Sequence, residues 1–119
     1  MFKVGDRVWH KYLNEFCFIH KVVEESKGYY IYDSKHSPFA RFDKEDNLHQ
    51  TAQTMFEELG FTKEIDSKYD EVYSNHYGTV IFDTNSYVIL MNDKKVSPVI
   101  NIKIHLAIHQ QMIEKGWIE

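Results

Sequence analysis

Two histidines of this 119-residue chain, His105 and His109, stand four positions apart in the stretch Ile104-His105-Leu106-Ala107-Ile108-His109. On a helix that spacing puts both imidazoles on one face, as helical metal-ligand pairs require. His76 is the one readily available third ligand. The residues between the pair are Leu, Ala and Ile, so the glutamate of a zinc-peptidase helix is missing, and the sequence fixes no carboxylate nearby. The competing reading is two half-buried histidines flanking an apolar stripe, and we assign no metal and no cofactor.

Cys17 is the single cysteine. It sits between Phe16 and Phe18, where a buried structural thiol is expected, because reactive thiolates need a polar, partly exposed setting. The carboxylate pairs Glu24-Glu25, Glu45-Asp46, Glu57-Glu58 and Asp70-Glu71 are adjacent in sequence. Neighbours on a strand face opposite ways, and neighbours on a helix do not converge, so these read as solvated faces and not acid/base dyads. Gly5, Gly28, Gly60, Gly78 and Gly116 are each isolated, and no phosphate-cradling loop is present. No catalytic residue is assigned, and the expectation is a non-enzyme.

The positive signal is aromatic. If Val8 and Ile31 point inward, strand parity sends Arg7, Trp9 and Lys11 to an outer face, with Tyr30 and Tyr32 also outward. A tryptophan between two cations and beside two tyrosines can grip a peptide or stack on bases. Alternatively a second module covers this face, since two very small modules need a shared interface.

The elements that must position these residues divide the chain near residue 50. Arg7–Tyr12 alternates as a strand. Glu15–Glu24 is a longer apolar run whose alternation slips once, as in a bulged, bent strand. Ser26-Lys27-Gly28 reads as a hairpin turn and Tyr29–Asp33 as a third strand. Ser34–Ser37 is a loop, Pro38–Asp43 a short fourth strand, and Lys44–Leu48 a closing 3₁₀ turn. In the second half, Ala52, Met55, Phe56 and Leu59 recur at helical spacing, with Thr51 as N-cap and Gly60 as terminator. Strands follow at Lys68–Asn75, Tyr77–Asp83 and Ser86–Met91, then a fourth at Val96–Ile100 whose Pro98 suits an edge. A helix capped by Asn101 runs to about Lys115, with Ile104, Leu106, Ala107, Ile108, Met112 and Ile113 as its apolar stripe. Both faces of the second sheet are apolar. Val80 and Phe82 fall on one face and Ile81 on the other, with Tyr87, Ile89 and Met91 opposite Val88 and Leu90; two helices cover one face, and the remaining one must meet the first module, a second copy, or a partner.

Two resemblances bear on this. Lys3-Val4-Gly5-Asp6-Arg7-Val8-Trp9-His10, the bent apolar strand, Tyr30-Ile31-Tyr32-Asp33 and Phe42-Asp43-Lys44-Glu45-Asp46-Asn47-Leu48 together resemble the Src-homology-3-like barrels of the Tudor and KOW kind. The departure is at Asn14-Glu15-Phe16-Cys17-Phe18, where those families often place glycines. Met55–Phe61, His105–Ile108, Gln110 or Gln111, and Glu114–Trp117 resemble small proteins of Gram-positive phages and prophages. The second resemblance implies a phage-type origin and no particular activity.

Composition narrows the classes further. Hydrophobic residues are 43% and charged residues 27%, a globular and not a disordered balance. Aromatics reach 15%, enough large rings to fill small cores. One cysteine allows no internal disulfide, the N-terminus lacks a signal-peptide pattern, and no apolar run is long enough to span a bilayer, so a cytoplasmic, membrane-free protein is expected. Residues 1–50 carry eight Lys/Arg against eight Asp/Glu, and residues 51–119 carry six against ten, so the second half holds the net charge of −4. Helix, meander and helix also match the order of a double-stranded-RNA-binding domain. Its lysine cluster is replaced here by Asn101-Ile102-Lys103-Ile104-His105, and the acidic balance disfavours phosphate binding.

The expectation is therefore an α+β chain. Residues 1–50 form a small five-stranded β-barrel, and residues 51–119 an α-βββ(β)-α module with an antiparallel sheet. Its expected work is non-enzymatic binding of a protein partner, such as a host factor, through Arg7, Trp9, Lys11, Tyr30 and Tyr32. Nucleic-acid binding through the barrel is the alternative, and a homodimer is compatible with either.

Overall fold

The computed structural model describes residues 2–32, 40–64, 69–76, 78–92 and 101–118. The chain divides into two compact units, Met1–Thr51 and Ala52–Glu119. Among the described residues it is mixed α+β, with two α-helices and two antiparallel sheets of five and four strands.

The first unit contains β1 (Arg7–His10), β2 (Glu15–Val23), β3 (Gly28–Tyr32), β4 (Arg41–Lys44) and β5 (Leu48–Gln50). They pair in the order β4-β3-β2-β1-β5. Among the described residues the ladder is open, not closed into the expected barrel. β4 and β5 are only four and three residues long, are separated by the 3₁₀ turn Glu45–Asn47, and share no pairing. β2 is long enough to pair with β1 through its first half and β3 through its second. The register slips between Ile19 and Lys21, a bulge at the place where the sequence alternation breaks. Inward positions on both sides of the slip make one core: Val8, Cys17, Ile19, Tyr29, Ile31 and Leu48, with Phe2 and Val22 packed against it.

Gly28 opens β3 and leaves its outer side to a neighbouring ring. A Cβ at that position would run into the ring of Phe42, which lies across the glycine from β4. Lys27, one residue earlier, takes the left-handed turn conformation at φ 51°.

The second unit runs α1 (Ala52–Glu58), β6 (Thr62–Lys63), β7 (Glu71–Ser74), β8 (Thr79–Phe82), β9 (Val88–Met91) and α2 (Ile102–Glu114), with sheet order β6-β7-β8-β9. The strand expected at 96–100 lies outside the described residues, as do the loop at 34–37, the first residues of the strand from Pro38, and Tyr77. The two-residue β6 was not anticipated; it is too short to carry an alternation pattern.

The register places Tyr73, Val80 and Leu90 together, and Phe82 beside Val88, on the face that the helices cover. At the centre Phe56 stacks on Tyr73 with ring centroids 4.1 Å apart, and Phe82 meets both rings edge-on. α2 starts as its sequence predicts: Asn101 Oδ1 accepts the Ile104 N–H at 2.9 Å. It ends at Gly116 (φ 76°), where the Trp117 N–H returns to the Met112 carbonyl at 2.9 Å. The buried face of α2 is rotated from the expected stripe. Leu106 is 49% exposed, whereas Gln110 and Gln111 are buried. Gln111 is admitted because its amide oxygen accepts from the Tyr73 hydroxyl at 2.6 Å, which satisfies both groups.

Candidate interaction surface

Cross-strand pairing fixes which residues share the outer face of the five-stranded sheet. Arg7 lies opposite Phe18, Phe18 opposite Tyr32, Trp9 opposite Phe16, and Tyr30 opposite Phe42. Residues directly opposite in a ladder point to the same side. Four of the five expected surface residues, Arg7, Trp9, Tyr30 and Tyr32, therefore share one face. Lys11 is exposed but lies beyond β1 in the following turn.

Trp9 does not serve as an exposed platform. It is only 5% exposed and meets Phe16 edge-on at 4.9 Å. The Arg7 guanidinium sits 3.6 Å above the other contact surface of that cluster, the Phe16 ring. The open aromatic area lies at the β3–β4 end of the face. Tyr30 and Phe42 are 39% and 40% exposed and pack edge-on with centroids 5.6 Å apart. His20, the residue added by the bulge, lies 4.6 Å from the Tyr32 ring. Phe42 and His20 were missed as surface candidates. The bulge that leaves His20 outside the ladder and brings Lys21 to this face was visible in the slipped alternation, but the parity of β4 was not, because Pro38–Asp43 offers too few alternating residues.

Charge on this face is one-sided. Among the described residues, its ladder positions include Arg7, Lys21 (opposite Tyr30) and Lys44 (opposite Gly28), and no aspartate or glutamate. The carboxylates of the same strands, Glu15 and Asp43, sit at opposite parity, opposite His10 and Tyr29. A unit whose charges balance overall thus presents aromatic rings framed by cations on one side.

The other candidate chemistry does not assemble. His105 and His109 have ring centroids 6.4 Å apart and are both exposed rather than half-buried. Among the described residues no three His, Cys, Asp or Glu side chains are placed to hold a metal ion. Cys17 is fully buried in the first core. Buried His10 and half-buried Asp43 form a pair, Nε2 to Oδ2 3.0 Å, that resembles part of a catalytic triad. Its Nδ1 is already taken by the Leu13 N–H at 3.1 Å, so neither ring nitrogen is left for a nucleophile.

The second unit has an open groove of about 850 Å³ where Glu57, Lys63, Glu64, Asp70 and Glu71 converge. Three of these carboxylates are engaged: Glu71 with Lys63 at 2.6 Å, Asp70 with Lys115 at 2.8 Å, and Glu64 with the Ser74 hydroxyl at 2.5 Å. Such pairing makes a charged wall, not a proton-transfer dyad. Tyr29 lies in the core of the first unit. Burial pushes its phenol above the ordinary value of 10.0; the bond accepted from the Phe2 N–H opposes this, and the Glu45 carboxylate that its hydroxyl donates to adds to it.

Comparison with protein-family models, with curated proteins and with solved structures finds no match to this chain.

Proposed function

We propose that this chain is a non-enzymatic accessory protein, of the phage or prophage kind its second half resembles, that binds a protein partner through the outer face of its five-stranded sheet. One observation carries the proposal. The inner face of that sheet fills its own core, yet the outer face bears Phe16, Phe18, Tyr30, Tyr32 and Phe42, framed by Arg7, Lys21 and Lys44 with no carboxylate at the ladder positions. Aromatic side chains supply large, rigid contact area at small entropic cost, and a cationic rim selects an acidic partner surface. The strand order β4-β3-β2-β1-β5, the bulged β2 and the 3₁₀ turn before β5 support reading the first unit as a small Src-homology-3-like module.

Nucleic-acid binding is the second reading, because aromatics interleaved with cations also form single-strand platforms. The net charge of −4 weighs against it. Capture from host cytoplasm on the immobilised chain, with and without nuclease, separates the two. A protein partner retained after nuclease treatment and through moderate salt supports the first reading. Capture that vanishes with nuclease, or falls steeply with salt, replaces it with the second.

A further inference from the structure

The buried imidazole of His10 is used at both nitrogens, and the two uses are chemically unequal. A backbone amide can only donate, so the Leu13 N–H at 3.1 Å requires a lone pair on Nδ1. The ring proton then resides on Nε2 and points at Asp43 Oδ2, 3.0 Å away. A second proton has one place to go, Nδ1, where a donor already points. We propose that protonation of His10 releases the tip of the β1–β2 turn, so that Tyr12 and Leu13 are held in one arrangement only while the imidazole is neutral.

Three strands and the turn itself supply the ring's surroundings. On β4, the Asp43 carboxylate faces Nε2 at 3.0 Å, and the Arg41 Nε lies 3.6 Å from the same Oδ2. On β2, Glu15 lies opposite His10 in the ladder and its carboxylate is 3.9 Å from the Arg41 guanidinium. On β5, the ladder partner is the uncharged Leu48, and Asn47 before it donates to Asp43 Oδ1 at 2.8 Å. Within the turn, the Tyr12 ring lies 6.4 Å from the imidazole, and Lys11 is exposed. His10 itself is 4% exposed, so water does not substitute for the lost contact.

The turn is built to move at its tip and not at its base. Its base is held by the Asn14 N–H to the His10 carbonyl at 2.9 Å and by the Lys11 N–H to the Asn47 carbonyl at 3.0 Å. Neither bond involves the ring. Asn14 takes the left-handed conformation, φ 52°, that closes so short a turn. The tip carries Tyr12 at 74% and Leu13 at 42% exposure, an apolar pair whose presentation protonation would alter. This inference does not depend on the aromatic face of the sheet.

NMR titration of the full chain tests it. The His10 ring carbon shifts report protonation, and the Leu13 and Tyr12 amide resonances report the turn. The expected result is that the Leu13 amide moves with the same midpoint as the His10 ring, while amides of β2 and β3 stay in place. In His10→Asn, whose side-chain oxygen can still accept near the Nδ1 position, the Leu13 amide should no longer follow pH. Should that variant fail to fold, Asp43→Asn serves instead: whatever midpoint the ring takes in it, the Leu13 amide must take the same one. A Leu13 amide that ignores the His10 titration, or that keeps its pH response in His10→Asn, overturns the proposal.

Discussion

The Glu114 carboxylate at the C-terminal end of α2 accepts the Ala52 N–H at 2.6 Å, closing the N-terminus of α1 across 62 positions of sequence. Gln110, one turn earlier on α2, donates to the same oxygen at 2.9 Å and holds it in place. α1 has only seven residues, fewer than a free helix needs to persist in water. Its first amide would otherwise be a buried orphan, because Ala52 is fully buried.

Replacing Glu114 should therefore cost more than a surface carboxylate does. Glu114→Ala is expected to lose about 1–2 kcal/mol, from the unsatisfied amide and the lost charge at the helix start. Glu114→Gln keeps an acceptor and should lose less. Urea unfolding of the two variants beside the wild type measures both. Equal loss in the two would mean that packing, and not capping, is the role of Glu114.

Trp9 and Phe42 occupy one face of one sheet and should behave oppositely. Trp9→Ala removes a buried ring and its edge contact with Phe16, for an expected loss of about 3 kcal/mol or more. Phe42→Ala removes a ring that is two-fifths exposed and should stay within about 1 kcal/mol. Thermal or urea unfolding of each checks the contrast.

Tyr29 gives stability an alkaline limit. Its phenol is held above 10.0 in the folded chain, chiefly by burial, so the folded state keeps a proton that the unfolded chain has released. The contribution is complete below the unfolded value and disappears as pH rises through the folded one. Tyr29→Phe should lower stability at neutral pH, because the Phe2 and Glu45 hydrogen bonds go, yet flatten the decline above pH 10. Unfolding free energies of both proteins compared from pH 8 upward would reveal a matching decline if Tyr29 were not responsible.

Cys17 should be inert in the folded protein. With no exposure in the core, it should react with a thiol reagent only as fast as the first unit opens, and readily in denaturant. Rapid native-state labelling would show that this core is not closed.

Local pattern made much of this fold legible. Val8, Ile31 and the slip in β2 could be read from alternation, and Asn101 and Gly116 from capping chemistry. What escaped depends on residues far apart in sequence. The Tyr73–Gln111 bond draws a polar residue into the face of α2 and leaves Leu106 outside it. His10 read as an ordinary inward strand residue until Asp43, 33 positions away, was placed beside it. The candidate surface was half legible: parity gave the shared face of Arg7, Trp9, Tyr30 and Tyr32, but no local signal told that Trp9 is buried or that Phe42 lies over Gly28.

The most direct measurement compares partner binding by the wild type and by Tyr30→Ala/Phe42→Ala, with the unfolding midpoint of each determined on the same samples. If the open aromatic end of the five-stranded sheet is where the partner docks, the double variant loses at least tenfold in affinity, as expected for central aromatic anchors, while its unfolding midpoint changes little. Undiminished binding by a double variant that is fully folded would contradict the account.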